Sequence, residues 1–148
     1  MYDIHHRIGI NAPMERVHHA LTTTEGLASW WTTDTQGDPT VGGKLVFTFG
    51  SPDRSASFEV LEVADDRIVW RGIAGPDEWI DTTCTFQLTQ EGDETVLFFT
   101  HGDWREAVPF IGHCTTKWGT FLLGLKALLE GGRSCTYPDE LVISSWDH

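Results

Sequence analysis

The chain has 148 residues, 40% of them hydrophobic and 22% charged, with a formal net charge of −12. One domain of this length buries roughly 70% of its unfolded surface, so it needs neither a metal nor a disulfide to fold. The acidic balance argues against nucleic acid or an anionic membrane as partner. No window reaches the apolar run of a membrane span, and MYDIHHRIGI lacks the basic and apolar regions of a secretion signal. Cys84, Cys114 and Cys135 make an odd count without a CxxC pair, which predicts reduced thiols and a cytoplasmic location.

In chain order, Tyr2–Ile10 alternates with period two, Tyr2, Ile4, His6, Ile8 and Ile10 on one face, and reads as a strand. Asn11 stands as an N-cap and Pro13 in the first turn of a short helix carrying Met14, Val17, Leu21 and His18. Thr24 is expected to cap a second short helix that ends in Trp30 and Trp31. The loop TTDTQGDPTVGG follows as a candidate lid, with Gly42 and Gly43 in a tight turn.

From Gly42 the chain reads as strands over 44–49, 56–64, 67–73, 80–89 and 95–102, separated by GSPDRS, ADD, AGPDE and QEGDE. Short turns predict antiparallel neighbours. The expected shared face holds Phe58 and Val60, Ile68 and Trp70, Thr82, Cys84, Phe86 and Leu88, then Val96 and Phe98. Leu61, Val63, Val69, Leu97 and Phe99 leave the other face apolar as well, which calls for a second cover or a homodimer. A long helix is predicted over 112–130, with Trp118, Phe121, Leu122, Leu125, Leu128 and Leu129 in one stripe and Gly131–Gly132 after it. The tail 133–148 is expected to add an edge strand at 141–146.

The fold class is therefore α+β. A curled antiparallel sheet of about six strands, two short N-terminal helices and one long C-terminal helix form a single domain over 1–148. A helix laid across a curled sheet touches it at the rims, so a hydrophobic cavity is expected between them. Phe47, Phe49, Phe58, Trp70, Trp79, Phe86, Phe98, Phe99, Trp104, Trp118 and Phe121 supply bulky walls.

The segments INAPMERVHHALTTTEGLASWW, VGGKLVFTF, VLFFTHGDW and WGTFLLGLKALLEGG resemble, in that order, the START-related SRPBCC superfamily. This superfamily is also called birch-pollen-allergen-like, and the match is closest to the branch named for the activator of the heat-shock ATPase. The resemblance spans roughly residues 3–132. It implies a helix-grip fold over a hydrophobic pocket. It also implies a spread of roles, from lipid, sterol or hormone carriage to polyketide ring closure, hydrolysis and chaperone stimulation, among which fold alone does not choose. The tail departs from the family's short ending.

The residues expected to meet a ligand are Trp30, Trp31, Phe47, Phe58, Trp70, Phe86, His101, Trp104, Arg105, Trp118, Phe121 and Leu122. His101 and Arg105 are the polar anchors. His101 beside Asp103 is the one candidate general-base arrangement. Glu59, Glu62 and Arg71 read as outward charges. Cys114 near a helix start invites a lowered thiol pKa. The seven histidines, His5, His6, His18, His19, His101, His113 and His148, show no metal-ligand spacing, so no metal and no cofactor are expected. Three functions follow. The first is binding of a small hydrophobic molecule, aromatic or lipid-like, without chemistry. The others are a cyclase or hydrolase on the same pocket, and contact with a chaperone.

Overall fold

The computed structural model describes residues 1–133 and 136–147; the expectations for Cys135 and His148 fall outside the described residues. The helices are α1 (Met14–Thr22), α2 (Thr24–Trp30) and α3 (Pro109–Leu129). The strands are β1 (Tyr2–Ile10), β2 (Asp34–Gly37), β3 (Lys44–Phe49), β4 (Ser51–Val63), β5 (Arg67–Ala74), β6 (Thr83–Glu91) and β7 (Glu94–Trp104). They form one antiparallel sheet in the order β1-β7-β6-β5-β4-β3-β2. The expected α+β architecture is present, with one strand more than expected. Register shifts within β4, between Ser57 and Phe58 and between Val60 and Glu62, are the bulges that increase twist and curl the sheet.

Local chemistry explains the element boundaries. Asn11 does not cap α1. Its N–H donates to Glu130 Oε2 at 2.7 Å, tying the end of β1 to the end of α3, and Pro13 takes the N-cap place. Lys126 completes this clamp, donating to the Gly9 carbonyl at 2.6 Å and to Glu130 at 2.7 Å. Thr23, one residue before the expected cap, accepts the Gly26 N–H at 2.9 Å and starts α2. Asp34–Gly37, expected within a lid, is instead the edge strand on β3. Gly42 does adopt positive φ, at 86°. Gly43 is needed for space, since a Cβ there would collide with the Asp38 carbonyl.

The concave face carries Leu45, Phe47, Phe58, Val60, Ile68, Trp70, Cys84, Phe86, Leu88, Leu97, Phe99 and His101, all buried. On β7 this corrects the expected facing. Leu97 and Phe99 point inward, while Phe98 is 43% exposed on the outer face. The cause is the two-residue turn at Gly92–Asp93. It pairs Glu91 with Glu94, so each even position of β6 opposes an odd one of β7, as in Phe86↔Phe99 and Cys84↔His101. α3 crosses this face and leans on β1, where His6 Nε2 lies 3.1 Å from Thr115 Oγ1.

The expected edge strand at 141–146 is absent. The tail makes one parallel bridge, Thr32↔Tyr137, and ends in a 3-10 turn, Ser145–Asp147. Asp147 Oδ2 accepts the Ile143 N–H at 3.1 Å, which folds this segment back on itself. β1 and β2 hold the two edges of the sheet.

Candidate functional site

A cavity of about 600 Å³ lies between the concave sheet, the N-terminal half of α3 and the tail. Its aromatic wall comprises Trp31, Phe49, Trp79, Phe110, Trp118 and Phe121. Trp31 and Trp118 pack at 4.8 Å between ring centroids, and Trp79 stacks on Trp118 at 6.4 Å. Of the residues expected to meet a ligand, Trp31, Trp118 and Phe121 line this space. Phe47, Phe58, Trp70 and Phe86 form the layer behind, with Trp70 stacked on Trp31 at 6.4 Å. Trp30 is a core plug whose indole N–H donates to the Ala20 carbonyl at 2.9 Å. Leu122 and Trp104 are also core, the latter packed 5.0 Å from His101. Arg105 is turned outside the cavity, donating to the Asp77 carbonyl at 2.8 Å and to that of Ile80, where it pins the turn that carries Trp79.

His101 is fully buried and its bonds assign its tautomer. The Thr82 hydroxyl donates to the Trp79 carbonyl at 2.6 Å, so Thr82 Oγ1 accepts from His101 Nε2, 2.9 Å away. Trp118 Nε1 donates to His101 Nδ1 at 3.1 Å. Both imidazole nitrogens, the Thr82 hydroxyl and the Trp118 indole N–H are matched, and burial lowers the imidazole pKa to about 3. His101 is thus a neutral ring that holds Trp118 in place. Asp103 does not join it. That residue is exposed at φ 68°, accepting from Thr83 Oγ1 at 2.8 Å, while its N–H donates to Asp3. The two groups serve different partners.

At the opposite rim the polar groups come from α3, β4 and the tail. Lys117 Nζ lies 3.0 Å from Glu140 Oε2 and 2.9 Å from Asp147 Oδ2. The three side chains are only 14%, 7% and 4% exposed, respectively. Arg54 Nη2 donates to the Asp147 carbonyl at 2.7 Å. Asp147 Oδ1 is buried with no partner among the described residues. Burial opposes the Asp147 charge, but the Lys117 bond, the Ile143 N–H and the charges of Lys117 and His113 together leave its pKa lowered. Burial likewise lowers the pKa of His113.

Cys114 lies in the second turn of α3, and burial pushes its thiol up to about 12, so it stays protonated. This replaces the expected activated thiol. Cys84 is pushed up by burial too. Arg71 pairs on the outer face with Glu59 at 2.9 Å and Asp81 at 3.0 Å, and Arg67 approaches Glu62 at 3.4 Å. Among the described residues no three His, Cys, Asp or Glu side chains converge on a metal-sized space. Among the described residues no helix is long and apolar enough to cross a membrane.

Sequence reasoning missed Arg54, Lys117, Glu140 and Asp147. The available signal was Lys117 itself, a cation beside Trp118 and four residues before Phe121 at the edge of an apolar stripe, with an acidic tail to follow.

Residues 11–130 match the family described as Activator of Hsp90 ATPase homolog 1-like protein. The chain belongs to that family. The matched segment runs from the start of the helical pair to the end of α3; β1 and the tail lie outside it. The fold is shared with a protein described as the Aha1 dimer from Colwellia psychrerythraea, at 39% identity and a TM-score of 0.81, covering 89% of this chain and 98% of that one. Protein SSP2350 from Staphylococcus saprophyticus, at 20% identity, has a TM-score of 0.74 over 90% of this chain and 95% of that one. CalU16 from Micromonospora echinospora, at 23% identity, has a TM-score of 0.73 over 89% of this chain and 76% of that one. At 20–23% identity these two share the fold alone. A comparison with functionally curated proteins gave no match.

Proposed function

We propose that the protein holds a small hydrophobic, flat or aromatic molecule in the cavity between sheet and α3 without transforming it. The observation that carries this reading is the 600 Å³ space walled by Trp31, Trp79, Trp118, Phe49, Phe110 and Phe121. A volume of this size suits a small organic ligand, and aromatic walls match a planar apolar body. The His101 geometry supports binding over catalysis. Both ring nitrogens are committed, and a base that must first break two buried hydrogen bonds is poorly placed to take a substrate proton.

Native mass spectrometry of freshly purified protein, repeated after denaturation, tests occupancy; an extra mass lost on denaturation is the expected result. Titration with the neutral dye N-phenyl-1-naphthylamine tests the cavity directly. A saturable rise in dye emission is expected. No saturable response, in either the native chain or a variant with a weakened tail contact, would overturn the reading.

Self-association is a second reading. The 39%-identical Colwellia protein is described as a dimer, and here Tyr2, Leu61 and Phe98 are exposed on strands of the sheet. Light scattering at micromolar concentration is expected to give twice the 16.6 kDa chain mass; a monomer mass at all concentrations removes it. Contact with a chaperone, which the family description suggests, would use an outer surface. Its check is a chaperone ATPase assay with Phe98→Ser as the surface control.

A further inference from the structure

With Arg54 exposed at its edge on the Asp147 carbonyl, the buried part of the rim cluster does not balance. Two carboxylates, Glu140 and Asp147, meet one ammonium, Lys117, in a nearly closed setting. One carboxylate oxygen, Asp147 Oδ1, has no partner among the described residues. A buried carboxylate without a full set of partners is costly, so half of this arrangement is held at a disadvantage. Both carboxylates come from the tail, which lies beyond the family-matched residues 11–130, whereas the ammonium stands on α3 inside them. The tail contributes Tyr137 and Trp146 to the cavity wall as well. Tyr137 packs edge-on against Phe49 at 5.4 Å, and Trp146 lies 6.3 Å from Phe110. An acid on an aromatic body is what the tail itself presents to the cavity. If the tail withdraws, Lys117 Nζ is held over the Phe121 ring, 5.3 Å from its centroid, and Arg54 is released beside it.

We infer that the cavity takes an amphipathic organic acid, whose anionic head replaces the tail carboxylates on Lys117 while its apolar body lies against Trp31, Trp79 and Trp118. This rests on the cavity-binding reading and specifies its ligand class. The tail acts as an internal stand-in for the ligand, and it must leave Lys117 for the ligand to enter. The ligand then gains a charge-assisted hydrogen bond in a poorly solvated site, which a neutral molecule of the same shape does not gain.

The test compares the anionic dye 1-anilinonaphthalene-8-sulfonate with neutral N-phenyl-1-naphthylamine on full-length protein. In E140Q/D147N the anionic dye is expected to bind ~10-fold tighter than to the native chain, and the neutral dye less than about 3-fold tighter. Adding Lys117→Met to that variant should cost the anionic dye ~10-fold and leave the neutral dye within about 2-fold. Thermal melts confirm that each variant is folded. Should the triple variant not fold, hydrogen exchange of the native chain decides. Saturating anionic dye is expected to speed exchange at the Ile143 N–H, and unchanged protection there overturns the inference. Equal shifts for both dyes overturn the acid preference while leaving the cavity reading intact. Failure of both dyes on every folded variant removes the cavity reading and this inference together.

Discussion

Lys117 and Trp118 are neighbours on α3, yet each enters a polar cluster of opposite character. Through Trp118 the helix joins a chain in which donors and acceptors match one to one: indole N–H to His101, His101 to Thr82, Thr82 to the Trp79 carbonyl. Through Lys117 it joins two carboxylates and one ammonium, with one oxygen that has no partner among the described residues. The matched cluster lies within the sheet and helix; the unmatched one depends on the tail. A fully satisfied buried network resists exchange of any member, because each removal strands a partner. A partly satisfied one can lose a member at low cost. The first therefore fixes the shape of the cavity, and the second is the one traded for a ligand in the proposed binding mode.

The largest break in this comparison is expected from Trp118→Ala. It opens a void in the wall and strands His101 Nδ1, and should cost about 3–5 kcal/mol in urea unfolding, with loss of dye binding. Unchanged stability and unchanged affinity together would remove Trp118 from the wall. Thr82→Val keeps the outline and leaves the Trp79 carbonyl its bond from the residue 82 N–H, but strands His101 Nε2–H, for an expected loss of about 1–3 kcal/mol.

Acidification sharpens the contrast. The His101 pKa is about 3 in the folded chain and near 6.5 when unfolded, so the unfolded chain binds the extra proton between these values. This contribution is complete above pH 6.5 and falls by up to about 1.4 kcal/mol per pH unit below it. His101→Gln should flatten that slope in stability curves taken from pH 7 to 4; an unaltered slope would place the titration elsewhere. The tail responds in a lower window. The Asp147 pKa lies below its ordinary 3.8, so its grip on Lys117 is complete above about pH 4 and weakens as pH falls through the lowered value. The smallest effect is expected from Asp147→Asn at neutral pH, because Glu140 still pairs with Lys117 and the amide oxygen can still accept from it: a change in global stability of about 1 kcal/mol, with faster exchange confined to the tail. A large global loss in this variant would make the tail part of the scaffold.

The architecture was legible because long-range order is written in short-range pattern: alternation in β1, Pro13 at a helix start, and the broad stripe of α3 all follow local physics. The facing of β7 was not, since Leu97, Phe98 and Phe99 are all apolar and only the Gly92–Asp93 turn decides which two point inward. At the site the aromatics Trp31, Trp118 and Phe121 were legible from bulk and position. His101, singled out as an anchor or base, instead lies behind the wall, where Thr82 and Trp118 commit both its nitrogens. Lys117, Glu140 and Asp147 escaped notice because the link between a helix and a tail more than twenty residues on exists only in three dimensions. Expecting an edge strand at 141–146 hid it further.

The close packing of tryptophans has a practical consequence. Trp31, Trp70, Trp79 and Trp118 stand in a row of ring contacts between 4.8 and 6.4 Å, and three of the four face the cavity. Indoles this close exchange excitation and couple their electronic transitions, so their near-ultraviolet dichroism and emission depend on small changes in mutual tilt. A flat molecule against Trp31 and Trp79 would alter that coupling with no change of backbone needed. If the cavity binds as proposed, the tryptophans are a native optical gauge of its occupancy, readable without a label.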